Sequence, residues 1–448
     1  MKMKMKINQN LKNKTLKGGK YLGSGSYGCV VSPALNCTTY NKKTKKHSTI
    51  KLNKNLTYVS KILKYEDEDS KHELAISDKI KKIDPSKDYF ITYESACKIK
   101  NVPKNRTNTT KVKFRNNNLL YYNEINSNGT IKYSGYNNND DKKNRCLIDT
   151  SINPINIIMP YGGYDLNYLK NTIYDYYNYK KKYELYKDKK YLSILKNNKY
   201  IDSITIYNLL NTNFKYYFKN LLIGLSKLHK NRIVNLDIKT ENIMVKYDST
   251  IKKLKLRYID FGMSQHLNEN YCKNYNNIEL FGTIEVLPIE IFICYVINKN
   301  KKIKSESYIL NKIYHYTDEY IYKIYKELKV YDNINILYNK TINQKTKTKL
   351  NPLIIRLYNE INNYFENGTI LNYYFGLNNV KSINGFLQKS DVYSLGIAMY
   401  EYLMNLEFVI NIKSPENIKL YRLINKMIYP DYTKRYNIEE CLEDPYFN

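Results

Sequence analysis

Four side chains near the middle of the sequence combine the types and spacing that phosphoryl transfer requires. In IVNLDIKTENIMV, residues 233–245, Asp237 is followed by Lys239 and then by Asn242. A carboxylate can accept the proton of an attacking hydroxyl, an ammonium can neutralise charge on the phosphoryl group in transit, and an amide oxygen can ligate Mg²⁺. Such a triplet also arises by chance in a chain this rich in Lys and Asn. The next motif separates the two cases: YIDFG at 258–262 follows a strand-like run and offers Asp260, a hard oxygen ligand of the kind Mg²⁺ prefers.

Two further features suit the same chemistry. GSGSYGCV at 23–30 spaces Gly23, Gly25 and Gly28 so that backbone N–H groups can approach phosphate oxygens with no Cβ in the way. Alone, that pattern also fits an ordinary Gly-rich hairpin. A dinucleotide-binding version would open a helix, whereas Cys29, Val30 and Val31 continue as a strand. A cation for the phosphates can come from Lys51 or Lys61, which end the β-like tetrapeptides STIK and YVSK. Lys61 is the better placed, because its strand leads almost directly into a helix bearing Glu73, on one face with Ile76 and Ile80.

These groups need elements to hold them. Residues 20–31 and 57–63, rich in Val, Ile and Tyr and punctuated by Gly, predict strands, with the polar segment 38–56 as a long hairpin connection. SKHELAISDKIKKIDP, from Ser70, predicts a helix closed by Pro85. FKYYFKNLLIGLSKLHKNRI has a strong apolar face and runs straight into the Asp237 stretch, as a helix delivering a loop would. The Asn-rich tract 101–146, the Tyr/Lys-rich tract 174–200 and the polar segment 291–388 read as surface insertions. Helical patterning returns over 391–448. The expected fold class is α+β: a basic tail at 1–17, a small β-rich lobe over about 18–158 and a larger helical lobe over about 159–448.

Composition limits the alternatives. The formal charge of +31 invites a nucleic-acid reading, yet Lys, Asn, Tyr and Ile are inflated together, with 50 Tyr and no Trp, and the lysines are dispersed. Nucleic acid is therefore not expected as a specific partner. Seven cysteines without a C-x-x-C pair point to free thiols in a reducing, intracellular compartment. The longest apolar stretch, VLPIEIFICYVI at 286–297, carries Glu290 and falls well short of the roughly 20 residues that span a bilayer, so no membrane anchor is expected.

On these motifs the chain resembles eukaryotic-type serine/threonine protein kinases, over most of its length outside the insertions. The resemblance implies a bilobal fold, ATP and Mg²⁺ as cofactors, Ser/Thr hydroxyls of protein substrates as acceptors, and a monomer. It makes Leu22, Gly23, Ser24, Gly25, Ser26, Tyr27, Gly28, Cys29 and Val30 the glycine-rich loop over ATP, and Lys61 and Glu73 the phosphate lysine and its helical partner. Asp237 becomes the catalytic base with Lys239 beside it, and Asn242 and Asp260 the metal ligands. IIMPYGGYDL at 157–166 resembles the adenine-binding hinge, with Met159 as gatekeeper, a carbonyl from Pro160 and an N–H from Gly162. GTIEVLPIE at 282–290 resembles the segment that ends the activation loop, keeping Thr283 and Glu290. Arg435 matches the arginine that pairs with that glutamate, and Asp391 the aspartate that braces the catalytic loop. SYGCVVSPALNC, YVSKIL and IDPSKDYF are similar to kinases of large nucleocytoplasmic DNA viruses.

One departure stands out. The family carries a His-Arg pair before the catalytic aspartate, and here Asn235 and Leu236 occupy those positions. Without the arginine, phosphorylation of the loop 263–281 cannot act through that pairing. Without the histidine, packing beneath Phe261 is put in doubt. The alternative to an active enzyme is a pseudokinase acting as a binding scaffold, disfavoured because Lys61, Asp237, Asn242 and Asp260 are all present.

Overall fold

The computed structural model describes residues 20–25, 28–34, 38–41, 46–49, 52, 56–63, 68–98, 112–116, 119–125, 130–134, 145–149, 155–248, 251–267, 286–288, 291, 380–404, 414–429 and 432–448. The chain forms two compact units: residues 1–77 with 91–161, and residues 78–90 with 162–448.

In the first unit, β1 (Lys20–Gly25), β2 (Gly28–Ser32), β3 (Thr38–Asn41), β4 (Lys46–Thr49) and β5 (Tyr58–Leu63) precede helix α1 (Glu68–Ile83). After α1 come β6 (Ser95–Lys98), then β7 (Val112–Asn116), β8 (Leu119–Ile125), β9 (Thr130–Ser134), β10 (Arg145–Asp149) and β11 (Ile155–Pro160). A five-stranded antiparallel sheet is ordered β1-β2-β5-β11-β6. The central strand β5 is buried at every position except Lys61, as expected of a strand covered on both faces. Helix α1 turns Ser70, Glu73, Ile76, Ser77 and Ile80 inward, a single face at helical spacing. Strands β3 and β4 form a hairpin within the 38–56 connection. The 101–146 tract, read as an insertion, contributes most of a four-stranded antiparallel sheet, ordered β10-β9-β8-β7.

Cysteine chemistry departs from the expectation of free thiols. Cys97 on β6 is disulfide-bonded. Cys441 is free and buried, and its burial pushes the thiol pKa up.

The second unit holds β12 (Tyr164–Asp165), α2 (Leu166–Tyr186), α3 (Lys189–Leu195), α4 (Asn198–Thr212) and α5 (Phe214–Lys230). There follow β13 (Ile233–Val234), β14 (Ile243–Asp248), β15 (Lys253–Tyr258), β16 (Gln265–His266), α6 (Val380–Met404), α7 (Pro415–Met427) and α8 (Ile438–Leu442). Helix α5 buries Tyr217, Phe218, Leu221, Leu222, Leu225 and Leu228, the apolar stripe visible in its sequence. Helix α6 is buried at every position from Ser390 to Tyr400, the signature of a helix enclosed on all sides. A Cβ added to Gly396 would lie 2.6 Å from Ile428 Cγ2, so glycine is what lets α6 lie this close to Ile428 at the end of α7. The helix begins at Val380, inside the segment 291–388 expected to be an insertion. Among the described residues no helix is long and apolar enough to cross a membrane.

Asp84, just past α1, fastens the segment that follows. One carboxylate oxygen accepts from Asp88 N–H (3.2 Å) and Ser86 Oγ (3.1 Å), the other from Tyr89 N–H (2.8 Å) and Phe90 N–H (3.1 Å). Tyr258 N–H then donates to the Tyr89 carbonyl at 2.9 Å, and the Tyr258 hydroxyl to the Leu221 carbonyl at 3.0 Å. Asp84→Ala strips three backbone N–H groups of an acceptor and is expected to destabilise the fold by about 2–3 kcal/mol in urea unfolding, with Asp84→Asn losing less.

Candidate active site

Helix α5 ends at Lys230, and the two-residue strand β13 pairs with β16, which fixes both ends of the segment between them. The chain then turns at Leu236 with φ +63°, a left-handed conformation that a bulky side chain adopts only when its surroundings demand it. The demand comes from Asp391 on α6, which is wholly buried. Its carboxylate accepts from Asn235 N–H at 2.7 Å and from Leu236 N–H at 2.8 Å, and His229 Nε2 on α5 lies 3.1 Å away. Three donors on one buried carboxylate satisfy a charge that would otherwise be costly to bury.

Asn235, where the resemblance leads one to expect histidine, has a defined role in this arrangement. Its side-chain oxygen accepts from Asp237 N–H at 3.0 Å, closing a local side-chain turn around Leu236. Its carbonyl accepts from Ser264 Oγ at 3.3 Å. The packing beneath Phe261 that the missing histidine put in doubt is present. That ring is buried edge-on against Phe90 at 5.8 Å, and Phe90 stacks on Tyr258 at 6.1 Å.

The loop brings Asp237, Lys239 and Asn242 together. Lys239 Nζ lies 3.2 and 3.0 Å from the two carboxylate oxygens of Asp237. Asn242 Nδ2 donates to Asp237 Oδ2 at 2.8 Å and to the Asp237 carbonyl at 2.9 Å. With its amide nitrogen committed in this way, Asn242 has its carbonyl oxygen as a ligand atom. The Asn242 carbonyl of the backbone accepts from Ile259 N–H at 3.0 Å, so the loop is tied directly to the residue before Asp260. Asp260 is exposed, at φ +60°. Asn242 and Asp260 are two hard oxygen donors, the number that suits an Mg²⁺ ion retaining waters and phosphate oxygens. Among the described residues no three His, Cys, Asp or Glu side chains form a metal cage. Asp165, the N-cap of α2, lies near this loop; burial raises its pKa and the charge of Glu241 adds to the rise, against the hydrogen bond from Tyr168 N–H.

In the first unit Lys61 Nζ meets Glu73 Oε1 at 2.7 Å, both side chains nearly buried. Lys61 lies opposite Val30 on β2 and Ile157 on β11. Strands β1 and β2 pair Gly23 with Val30, Ser24 with Cys29 and Gly25 with Gly28. Leu22 is exposed and Val30 half-buried, while Ser26 and Tyr27 lie outside the described residues, as do Lys51, Thr283 and Glu290. Pro160 closes β11 opposite Tyr58, and the next residue, Tyr161, donates its N–H to the Thr57 carbonyl at 2.9 Å. Gly162 leads in the second unit into Gly163, at φ +97°, where a Cβ would strike the Val245 carbonyl. Arg435 is almost fully buried, donating from Nε to the Tyr429 carbonyl at 2.8 Å, its guanidinium 4.8 Å from the Tyr393 ring centre. Sequence reasoning missed His229 and Phe90. His229 had one available signal, a histidine on the inward face of α5 eight residues before Asp237.

Known proteins resemble parts of this chain. The protein kinase domain family matches residues 131–292, which include Asp237, Lys239, Asn242 and Asp260 but neither Lys61 nor Glu73. A 60-residue stretch, 13% of the chain, is 43% identical to the serine/threonine-protein kinase WNG2 of Toxoplasma gondii. A 75-residue stretch, 17% of the chain, is 37% identical to a titin homolog of Caenorhabditis elegans. The matched stretches span 11% and about 0% of those two proteins. Together the domain match and the kinase relative show a likeness to eukaryotic-type protein kinases over part of the chain, the part that carries Asp237, Lys239, Asn242 and Asp260.

Replacing Asp391 by Ala leaves two buried N–H groups and His229 without their acceptor. The expected outcome is a loss of more than about 3 kcal/mol in unfolding experiments, with hydrogen exchange at Asn235 and Leu236 accelerated beyond the change at other buried amides.

Proposed function

We propose that the protein is an ATP-dependent kinase that transfers the γ-phosphoryl group of ATP to Ser or Thr hydroxyls of protein substrates. The observation that carries this reading is the Asp237 carboxylate, held between Lys239 and Asn242 with its own backbone N–H fastened by Asn235. In that position Asp237 accepts the proton of the attacking hydroxyl, and Lys239 is poised to shift its charge from Asp237 to the phosphoryl group as it moves. Lys61, oriented by Glu73, holds the α- and β-phosphates. Backbone N–H groups of the Gly23–Gly28 turn cover the phosphates, and the Pro160 carbonyl and Gly162 N–H receive adenine. Asn242 and Asp260 would hold Mg²⁺, which when bound neutralises charge on the phosphate oxygens.

Lys239, two residues past the base, favours Ser/Thr over Tyr acceptors by the resemblance set out above. We also place the protein inside a cell, acting as a monomer, and keep the likeness to kinases of large DNA viruses as part of the proposal. Leu236 in place of arginine implies a kinase that does not await phosphorylation of its activation loop.

Transfer of radiolabel from γ-labelled ATP to a panel of protein substrates tests the reading. The wild type is expected to label Ser and Thr, and Asp237→Asn to lose at least roughly 10²-fold in kcat while still binding ATP. Equal, minimal transfer by both folded proteins would favour the pseudokinase instead. Lys61→Ala should cripple ATP use far more than Lys51→Ala; the reverse order would reassign the phosphate lysine.

A further inference from the structure

Helix α2 has two halves with different chemistry. Its buried residues, Leu166, Leu169, Lys170, Thr172 and Ile173, all lie in the first eight positions, and the remaining turns to Tyr186 bury none. The helix packs against the short turn Thr240–Asn242 of the candidate active site. At about 1.5 Å per residue its 21 residues reach roughly 30 Å.

The far half carries a concentrated charge. KKKYELYKDKK, residues 180–190, places six lysines against two acids, all eight exposed. More than one residue in two is basic there, against about one in six over the whole chain. A tyrosine cluster holds the projection together, with Tyr179 stacked on Tyr191 at 6.2 Å and edge-on to Tyr200 at 6.1 Å. Lysine heads rest on rings of the helix: Lys182 lies 6.0 Å over Tyr179 of this cluster and Lys187 5.8 Å over Tyr183. The turn is closed by Lys187 in the left-handed region and by Asp188, which accepts from Lys190 N–H at 2.8 Å. At the tip Leu185 and Tyr186 are 66% and 70% exposed, an apolar pair flanked in sequence by the lysines.

We propose that the α2–α3 hairpin is a docking arm for an acidic segment of the protein substrate, whose carboxylates meet the lysines while an aliphatic side chain covers Leu185 and Tyr186. The inference rests on the kinase reading and names the substrate class for it. Two observations favour this occupant. Residues 174–200 contain no arginine, the side chain that reads phosphate bidentately, which disfavours a nucleic acid. The arm also starts at the catalytic loop, and an extended peptide needs only about ten residues to run its length.

The test uses the full chain and two Ser-containing peptides that differ only in a block about 12 residues from the serine, Glu/Leu-rich in one and Gln/Ser-rich in the other. Fluorescence anisotropy is expected to show salt-sensitive binding of the acidic peptide alone. KM for that peptide should be lower by about tenfold or more, with kcat unchanged. Charge reversal at three exposed positions, Lys181→Glu, Lys187→Glu and Lys190→Glu, should abolish the preference and create one for a Lys/Leu-rich block. Equal binding of the acidic peptide by wild type and the reversed variant would overturn the docking arm. So would a stronger, variant-sensitive preference for phosphatidylserine vesicles or single-stranded RNA. If neither peptide is phosphorylated, the substrate panel with Asp237→Asn decides the kinase reading, while the anisotropy still decides whether the arm binds acidic chains.

Discussion

The candidate active site depends on one buried carboxylate. Asp391 is fully enclosed on α6, where an ionised side chain survives only if its oxygens are fully engaged. The donors it gathers come from α5, through His229, and from the backbone of Asn235 and Leu236. This single requirement fixes where the loop leaves β13, sustains the left-handed turn at Leu236 and sets the point from which Asp237 projects. The enclosure of α6 over Ser390–Tyr400 is therefore more than a packing detail, because it keeps water from competing for the same carboxylate.

Asn235 shows how such a loop can dispense with the basic pair that its likeness leads one to expect. A histidine ring would have supplied bulk beneath Phe261. Here Phe90, positioned by the hydrogen bonds of Asp84, supplies the aromatic contact, and the shorter amide of Asn235 is free to fold back onto the Asp237 N–H. The support is local, made within three residues. Leu236 is buried, so the position that elsewhere would bind an activating phosphate is committed to the core.

Much of this was legible in the sequence because it follows from periodicity and order along the chain. The strand ending near Lys61, followed at once by a helix with Glu73 inward, brings the pair to 2.7 Å. The apolar face of α5 likewise announced a helix running into the loop. Other parts were hidden for physical reasons. The α2–α3 hairpin packs tyrosine rings on one another with lysine heads over them, a core that has little hydrophobic periodicity. Strands β7–β10 lie in an Asn-rich tract without a continuous apolar face. The start of α6 at Val380 was obscured by polar neighbours, and the bond at Cys97 by cysteine spacings that fit no framework. His229 acts through a partner 162 residues away in sequence, a contact that only the fold reveals.

The central claim is that Asn235 and Leu236 belong to a working loop and are not the scars of a disabled one. The most direct measurement compares kcat/KM for phosphoryl transfer by the wild type with that of the double variant Asn235→His, Leu236→Arg, which restores the basic pair. The account predicts a wild type at least as active as the variant, since the amide that holds Asp237 is lost in the exchange. An inactive wild type, rescued by about 10²-fold or more in the double variant, would contradict it.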